Sequence, residues 1–105
     1  MAQFTVYQNL NTLSKKIYPY LIDIQSPLLN TLETRLVIPL SLKSHFENKI
    51  INNLNPEIQI KNANYILLTQ QMAAISIKSI GSIVCDCSSI RQEIISAIDF
   101  LITGF

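Results

Sequence analysis

The sequence predicts a mainly β domain, an antiparallel sheet or small barrel, carrying one α-helix at its C-terminal end. Period-two alternation of apolar and polar residues recurs in short runs as far as Ile80, whereas a helical repeat is sustained only beyond Ser88. No internal repeat, low-complexity tract or linker interrupts the chain. Its 105 residues suit a single domain, residues 1–105, with a core of its own.

The first strand is "FTVY", with Phe4 and Val6 on one face and Thr5 and Tyr7 on the other, the pattern of a half-buried strand. Asparagines and lysines in "QNLNTLSKK" then break the alternation, as a loop or wide hairpin would. "IYPYLIDI" resumes extended chain, with Tyr18, Tyr20, Ile22 and Ile24 on one face. Pro19 lacks an amide proton, which suggests an edge or a bulge there. In "QSPLLNTLET", Pro27 and Asn30 mark a turn that leaves Leu28 and Leu29 adjacent, and two neighbouring leucines in a turn cannot both point into one core. "RLVIPLSL" is the third strand.

Between Ser41 and Asn55 the spacing of Leu42, Phe46, Ile50 and Leu54 suits a short helix, against the low helix propensity of the asparagines among them. "EIQI" and "YILLTQ" flank "KNAN" as the two arms of a hairpin. "MAAISIKSI" completes six strands, its Ile75 and Ile77 alternating with Ser76 and Lys78.

The helix begins near Ser88 or Ser89, since Ser89 and Gln92 have the spacing of a capping box. Ile90, Ile94, Ala97 and Leu101 form one stripe, with Ile95, Ile98 and Ile102 beside it and Phe100 on its other flank. At helical spacing this apolar arc spans about 220°, roughly twice what packing on one core requires. Gln92, Ser96, Asp99 and Thr103 fill the remaining polar strip. A helix this apolar is central to its domain or packed between two bodies. The simplest second body is another copy of the chain, so a two-fold homodimer is expected. Composition agrees: 49% of residues are hydrophobic and 14% charged, against about 25% charged in an average globular protein.

Catalytic signatures are lacking. The only glycines, Gly81 and Gly104, cannot build a phosphate-binding loop. The one histidine, His45, lies in a polar segment and reads as a solvated loop residue. Asp23, Glu33 and Asp99 are dispersed, with solvated or capping roles expected. Cys85 and Cys87, in "CDC", are poorly placed for an unstrained disulfide and read as ordinary buried thiols; a zinc site would have to recruit carboxylates or a second subunit. No catalytic residue, metal or cofactor is expected. The net charge of +1 comes from scattered lysines and arginines, which does not indicate direct nucleic-acid binding. No segment has the length to span a bilayer, and "MAQFTVYQNL" lacks the features of a signal peptide. A cytoplasmic protein without a membrane partner is expected. What stands out is an apolar set, Leu28, Leu29, Ile102 and Phe105, with Gly104 freeing the last helical turn. Covering each side chain would contribute about 1.5 to 3 kcal/mol before ordering costs.

"QFTVY", "YLIDIQSPLL", "RLVIPL", "LLTQQMAAISI" and "RQEIISAIDFLITGF" together resemble the CcdB family, the toxins of ccd toxin–antitoxin modules. The match is in order and in register over nearly the whole chain, weakest from Asn9 to Lys16 and from Ser41 to Asn55. The resemblance implies an SH3-like barrel with a small additional sheet, a C-terminal helix and a homodimer. It implies a function too: binding the A subunit of DNA gyrase and trapping the enzyme on cleaved DNA, so that DNA is touched only indirectly. A CcdA-type antitoxin would neutralise the toxin through a flexible C-terminal segment.

The family's gyrase-contacting positions fall on Leu28 and Leu29 and, at the helix end, on Asp99, Ile102, Thr103, Gly104 and Phe105. The best-known member carries tryptophan where this chain has Thr103, phenylalanine at Ile102 and asparagine at Asp99. That tryptophan stacks on gyrase arginines, a contact threonine cannot make. Two other readings stand beside this one, a MazF-like endoribonuclease toxin and a degenerate, non-toxic antitoxin-binding module. The first needs gathered cationic groups and a group to activate a ribose hydroxyl, for which Arg35, Arg91 and His45 are the few candidates.

Overall fold

The computed structural model describes residues 1–104 and places seven strands in one curled antiparallel sheet, with a single α-helix after the last strand. The strands are β1 (Thr5–Asn9), β2 (Tyr20–Asp23), β3 (Thr34–Leu42), β4 (Glu57–Ile60), β5 (Ala63–Leu67), β6 (Ala73–Ser76) and β7 (Ile80–Asp86), followed by α1 (Arg91–Thr103). The sheet order is β4-β5-β3-β2-β1-β7, with β6 also paired to β3. The fold is the mainly β antiparallel sheet with one C-terminal helix that the sequence predicts, curled into a half-barrel.

Central β3 organises the sheet because it is long enough to hold two neighbours on one side. Thr34 to Val37 pair with β6 and Leu40 to Leu42 with β5, while β2 runs along the other side. Pro39 sits at the switch. Its carbonyl accepts from the Leu68 amide at 2.9 Å, and a strand residue points its N and O to the same side. The missing proline N–H therefore falls in the gap between β6 and β5, where it costs no ladder bond.

The hairpin expected around "KNAN" is β4–β5, tighter than the sequence suggests. Ile60 pairs with Ala63, leaving Lys61 and Asn62 at φ 51° and 67°, the two left-handed positions of a type I′ turn. Other expectations fail. Pro19 marks neither an edge nor a bulge; it lies just before β2, with its carbonyl accepting from the Asn9 amide at 3.0 Å. "FTVY" is buried on both faces, since β1 lies between β2 and β7.

No helix forms between Ser41 and Asn55, only a short 3-10 turn at Lys43–His45 and further turns. Leu42 remains in β3, and the Asn55 side chain closes the following turn. It accepts from Ile51 N at 3.0 Å and donates to Leu67 O at 3.0 Å and Gln70 Oε1 at 2.8 Å. Asparagine offers the backbone an alternative to helix, and here it wins.

The seventh strand, β7, is absent from the sequence reading. Its pairing with β1 shifts register twice, between Val6 and Tyr7 and between Tyr7 and Asn9, so its burial does not alternate. Gly81 lies at this irregular contact, where a Cβ would come within 3.0 Å of the Leu10 side chain and 3.1 Å of Gln8 Cβ. Glycine permits the close approach.

The expected capping box does not form either. Helix α1 has Ile90 at its N-cap with no side-chain cap bond, preceded by a 3-10 turn over Ser88–Ile90. Ser89 lies inside that turn, and Asp86 engages Ser88, accepting from Ser88 N at 3.0 Å and Ser88 Oγ at 2.8 Å.

The core gathers Phe4, Val6, Ile22, Ile24, Ile38, Leu40, Ile60, Leu67, Cys87 and Ile94 inside the curl of the sheet. Phe4 joins three of its parts. Its N–H donates to Asp23 O at 2.6 Å, its carbonyl accepts from Cys87 N at 2.7 Å, and Arg91 lies over its ring at 5.8 Å. It does so at φ 61°, a left-handed conformation that costs a bulky residue about 1–2 kcal/mol.

Candidate functional site

The turn between β2 and β3 is a 3-10 turn, Pro27–Leu29. Ser26 caps it, accepting from Leu28 N at 3.2 Å, and Pro27 supplies a preset φ at its first position. Leu28 is 91% exposed and Leu29 47%. The sequence predicts that they do not both point into one core, and in the structure neither is buried.

Beneath these leucines lies a buried polar cluster that the sequence reading does not contain. Asp23 is 0% and Arg35 1% exposed. The Arg35 guanidinium donates to Asp23 Oδ2 from Nε at 3.1 Å and from Nη2 at 2.5 Å, and its Nη1 donates to Asn30 Oδ1 at 2.6 Å. Asp23 Oδ1 accepts from Gln25 N at 2.9 Å. The Gln25 side chain spans from strand to turn: Oε1 accepts from Leu36 N at 2.9 Å, and Nε2 donates to Leu29 O at 3.1 Å. The chain's clue was an aspartate inside the apolar run "YLIDI" and an arginine opening "RLVIPL". Only the β2–β3 register, with Asp23 opposite Val37, brings them together.

The second part of the site is the end of α1. Ile94 and Ala97 are buried, Ile90, Ile95, Ile98 and Phe100 are half-buried, and Leu101 and Ile102 are exposed. Part of the wide apolar arc thus faces outward, with Ile102 71% exposed. Gly104, at φ 80°, ends the helix in the left-handed conformation, its N–H donating to Phe100 O at 2.9 Å. Thr103 is exposed and donates its hydroxyl to Asp99 O at 2.7 Å; Asp99 is exposed as well. Phe105 lies outside the described residues. Within the protomer α1 packs chiefly against Thr69–Gln71 and Ser88–Ile90, not against the Pro27–Leu29 turn. The leucine turn and the helix end are therefore separate apolar points carried on separate elements.

The groups a nuclease would need are scattered: Arg35 is buried against Asp23, Arg91 lies over Phe4, and His45 is exposed on its turn. Asp23 meets neither Glu33 nor Asp99 in that pairing. Among the described residues no group of three or more His, Cys, Asp and Glu side chains is placed to hold a metal ion. Cys85 and Cys87 are free thiols with sulfurs 3.9 Å apart. Burial, reinforced by Cys85 and Asp86, pushes the Cys87 thiol up to about 12, so it stays protonated and unreactive at neutral pH. Burial, with Tyr20 edge-on at 5.1 Å, likewise raises the Tyr65 hydroxyl.

The curled sheet thus leaves the apolar end of α1 and two leucines on a tied-down turn uncovered within the protomer. The model of the CcdB protein family matches residues 3–104. The chain belongs to that family, whose members are toxins of toxin–antitoxin modules. Among the described residues no helix is long and apolar enough to cross a membrane.

Proposed function

We propose that the protein is a cytoplasmic gyrase poison that acts as a homodimer and catalyses no reaction of its own. It docks on the A subunit of DNA gyrase with Leu28, Leu29 and the α1 end, Asp99 and Ile102 to Phe105, and holds the enzyme on cleaved DNA. Exposure of Leu28 and Ile102 at the positions where the family meets gyrase carries this reading. An apolar side chain left in water by its own domain gains most from a partner that covers it.

Thr103 gives no aromatic stacking, and its hydroxyl is already engaged with Asp99 O. Contact energy in this chain therefore shifts to the aliphatic residues, with the exposed Asp99 carboxylate available to a gyrase arginine. A CcdA-type antitoxin arm meets the same C-terminal region and the segment from Gln8, at the end of β1, to Lys16, whose Leu10 and Leu13 are exposed.

The test incubates the protein with gyrase, plasmid DNA and ATP, then adds detergent and protease, with a parallel lane of RNA. Linear DNA is expected. Cut RNA with intact plasmid would transfer the assignment to the ribonuclease class, and neither product would make the chain a non-toxic antitoxin-binding module.

A further inference from the structure

The buried ion pair between Asp23 and Arg35 is an expensive feature in a domain of this size. Taking both charges out of water costs several kcal/mol per ion, and a well-packed apolar pair is often as stable. Cohesion alone is a weak reason for it. Its hydrogen bonds lead elsewhere, to the turn that displays Leu28 and Leu29.

Three residues act on that turn. Asn30, its C-cap, is held by Arg35 Nη1 at 2.6 Å; Gln25 Nε2 holds the Leu29 carbonyl at 3.1 Å; and Gln25 is itself fixed by Asp23 Oδ1 on its N–H and by Leu36 N on its Oε1, both at 2.9 Å. Ser26 Oγ secures the other end through Leu28 N at 3.2 Å. The backbone is thus tied before and after Leu28, while the side chain itself is 91% exposed. A three-residue 3-10 turn has poor hydrogen-bond geometry and little persistence of its own. Held in this way, it presents its leucines already ordered, which removes part of the entropy that docking would otherwise cost.

We infer that Asp23, Arg35, Gln25 and Asn30 are positioning residues, a buried polar bracket that holds Leu28 and Leu29 in docking geometry without touching the partner through the ion pair. The inference rests on the gyrase reading above, and its test separates the two. Asn30 is exposed, so Asn30→Ala leaves the ion pair and the fold in place while releasing one end of the turn. Asn30→Asp keeps an oxygen for Arg35. Gln25→Glu keeps the acceptor for Leu36 N and removes the donor to Leu29 O.

In the isolated protein, amide hydrogen exchange at Leu28 and Leu29 is expected to rise about tenfold in Asn30→Ala and Gln25→Glu, and to stay at the wild-type rate in Asn30→Asp. Binding to the gyrase A subunit is expected to weaken five- to tenfold in Asn30→Ala, mostly through faster dissociation, with recovery in Asn30→Asp. In a Leu28→Ala/Leu29→Ala background the same Asn30→Ala change should alter affinity less than twofold, because the side chains it positions are gone. Unchanged exchange, or an Asn30 effect that simply adds to that of the double leucine change, would overturn the bracket. If the wild type does not bind gyrase at all, the functional reading fails, and exchange at the two leucines alone decides the inference.

Discussion

Leu28 is the residue at which exposure and proposed role coincide. It contributes almost nothing to the core, so Leu28→Asp should leave stability within about 0.5 kcal/mol of wild type. If it anchors the docking surface, the same change should weaken gyrase binding by more than about thirtyfold, as loss of a hot spot worth about 2 kcal/mol does. Calorimetric titration against the A subunit, beside a thermal melt, separates the two effects. Cys87 is the opposite case, a side chain that carries stability and no binding. In the unfolded chain its thiol ionises near its ordinary 9.0, while in the folded protein it keeps its proton up to about 12. Unfolding therefore releases a proton between those values, and the stability that burial of the neutral thiol supplies is complete below pH 9 and declines as the pH climbs. Urea melts from pH 8 to 10.5 should show that decline. A Cys87→Ala variant, less stable at pH 8, should show a shallower one. Equal slopes in the two proteins would mean that other groups govern the alkaline limb.

At the scale of elements, the β4–β5 hairpin shows what local chemistry specifies and what it leaves suboptimal. Asn62 suits its left-handed position, but Lys61 at φ 51° does not, and a side chain there costs about 1 kcal/mol relative to the residues a type I′ turn prefers. Replacing Lys61→Asn together with Asn62→Gly should raise stability by about 1 kcal/mol, a gain of several degrees in melting temperature. No gain would mean that Lys61 is held by contacts outside the turn. This hairpin was legible because its signal is local, and so was the helix, whose repeat runs from Ile90 to Leu101. Strand β7 was not, since two register shifts against β1 erase its alternation. The start of α1 misled for a similar reason: Ser88 and Ser89 read as caps, but Asp86 competes for Ser88. The site divides along the same line. Its apolar points were visible as leucines in a turn and a helix too apolar for one core. The bracket beneath them was not, because pairing Asp23 with Arg35 depends on how β2 lies against β3, which no local pattern encodes.

For the whole molecule, the question is how much of the protein depends on the end of α1. The core is drawn largely from the sheet, and the helix is fastened to it by Ile94 and Ala97, both well before the last turn. Beyond Asp99 the described residues are exposed, apart from the half-buried Phe100. Deleting Thr103 to Phe105 removes the left-handed cap, in which Gly104 N meets Phe100 O at 2.9 Å, along with the hydroxyl bond of Thr103. That loss is worth about 1 kcal/mol, and the melting temperature should fall by about 4–8 °C with no loss of cooperativity. Surface for a second copy is still present, since Ile83, Leu36 and Ile77 remain exposed on the sheet and its connections. Sedimentation equilibrium of the shortened protein should therefore still give twice the protomer mass, and killing of cells should disappear. A monomeric product would place the tail inside the dimer interface and leave the loss of killing without a unique cause. A dimer that kills as well as the full chain would show that Thr103 to Phe105 carry no part of the docking surface, which would then be confined to Leu28, Leu29, Asp99 and Ile102.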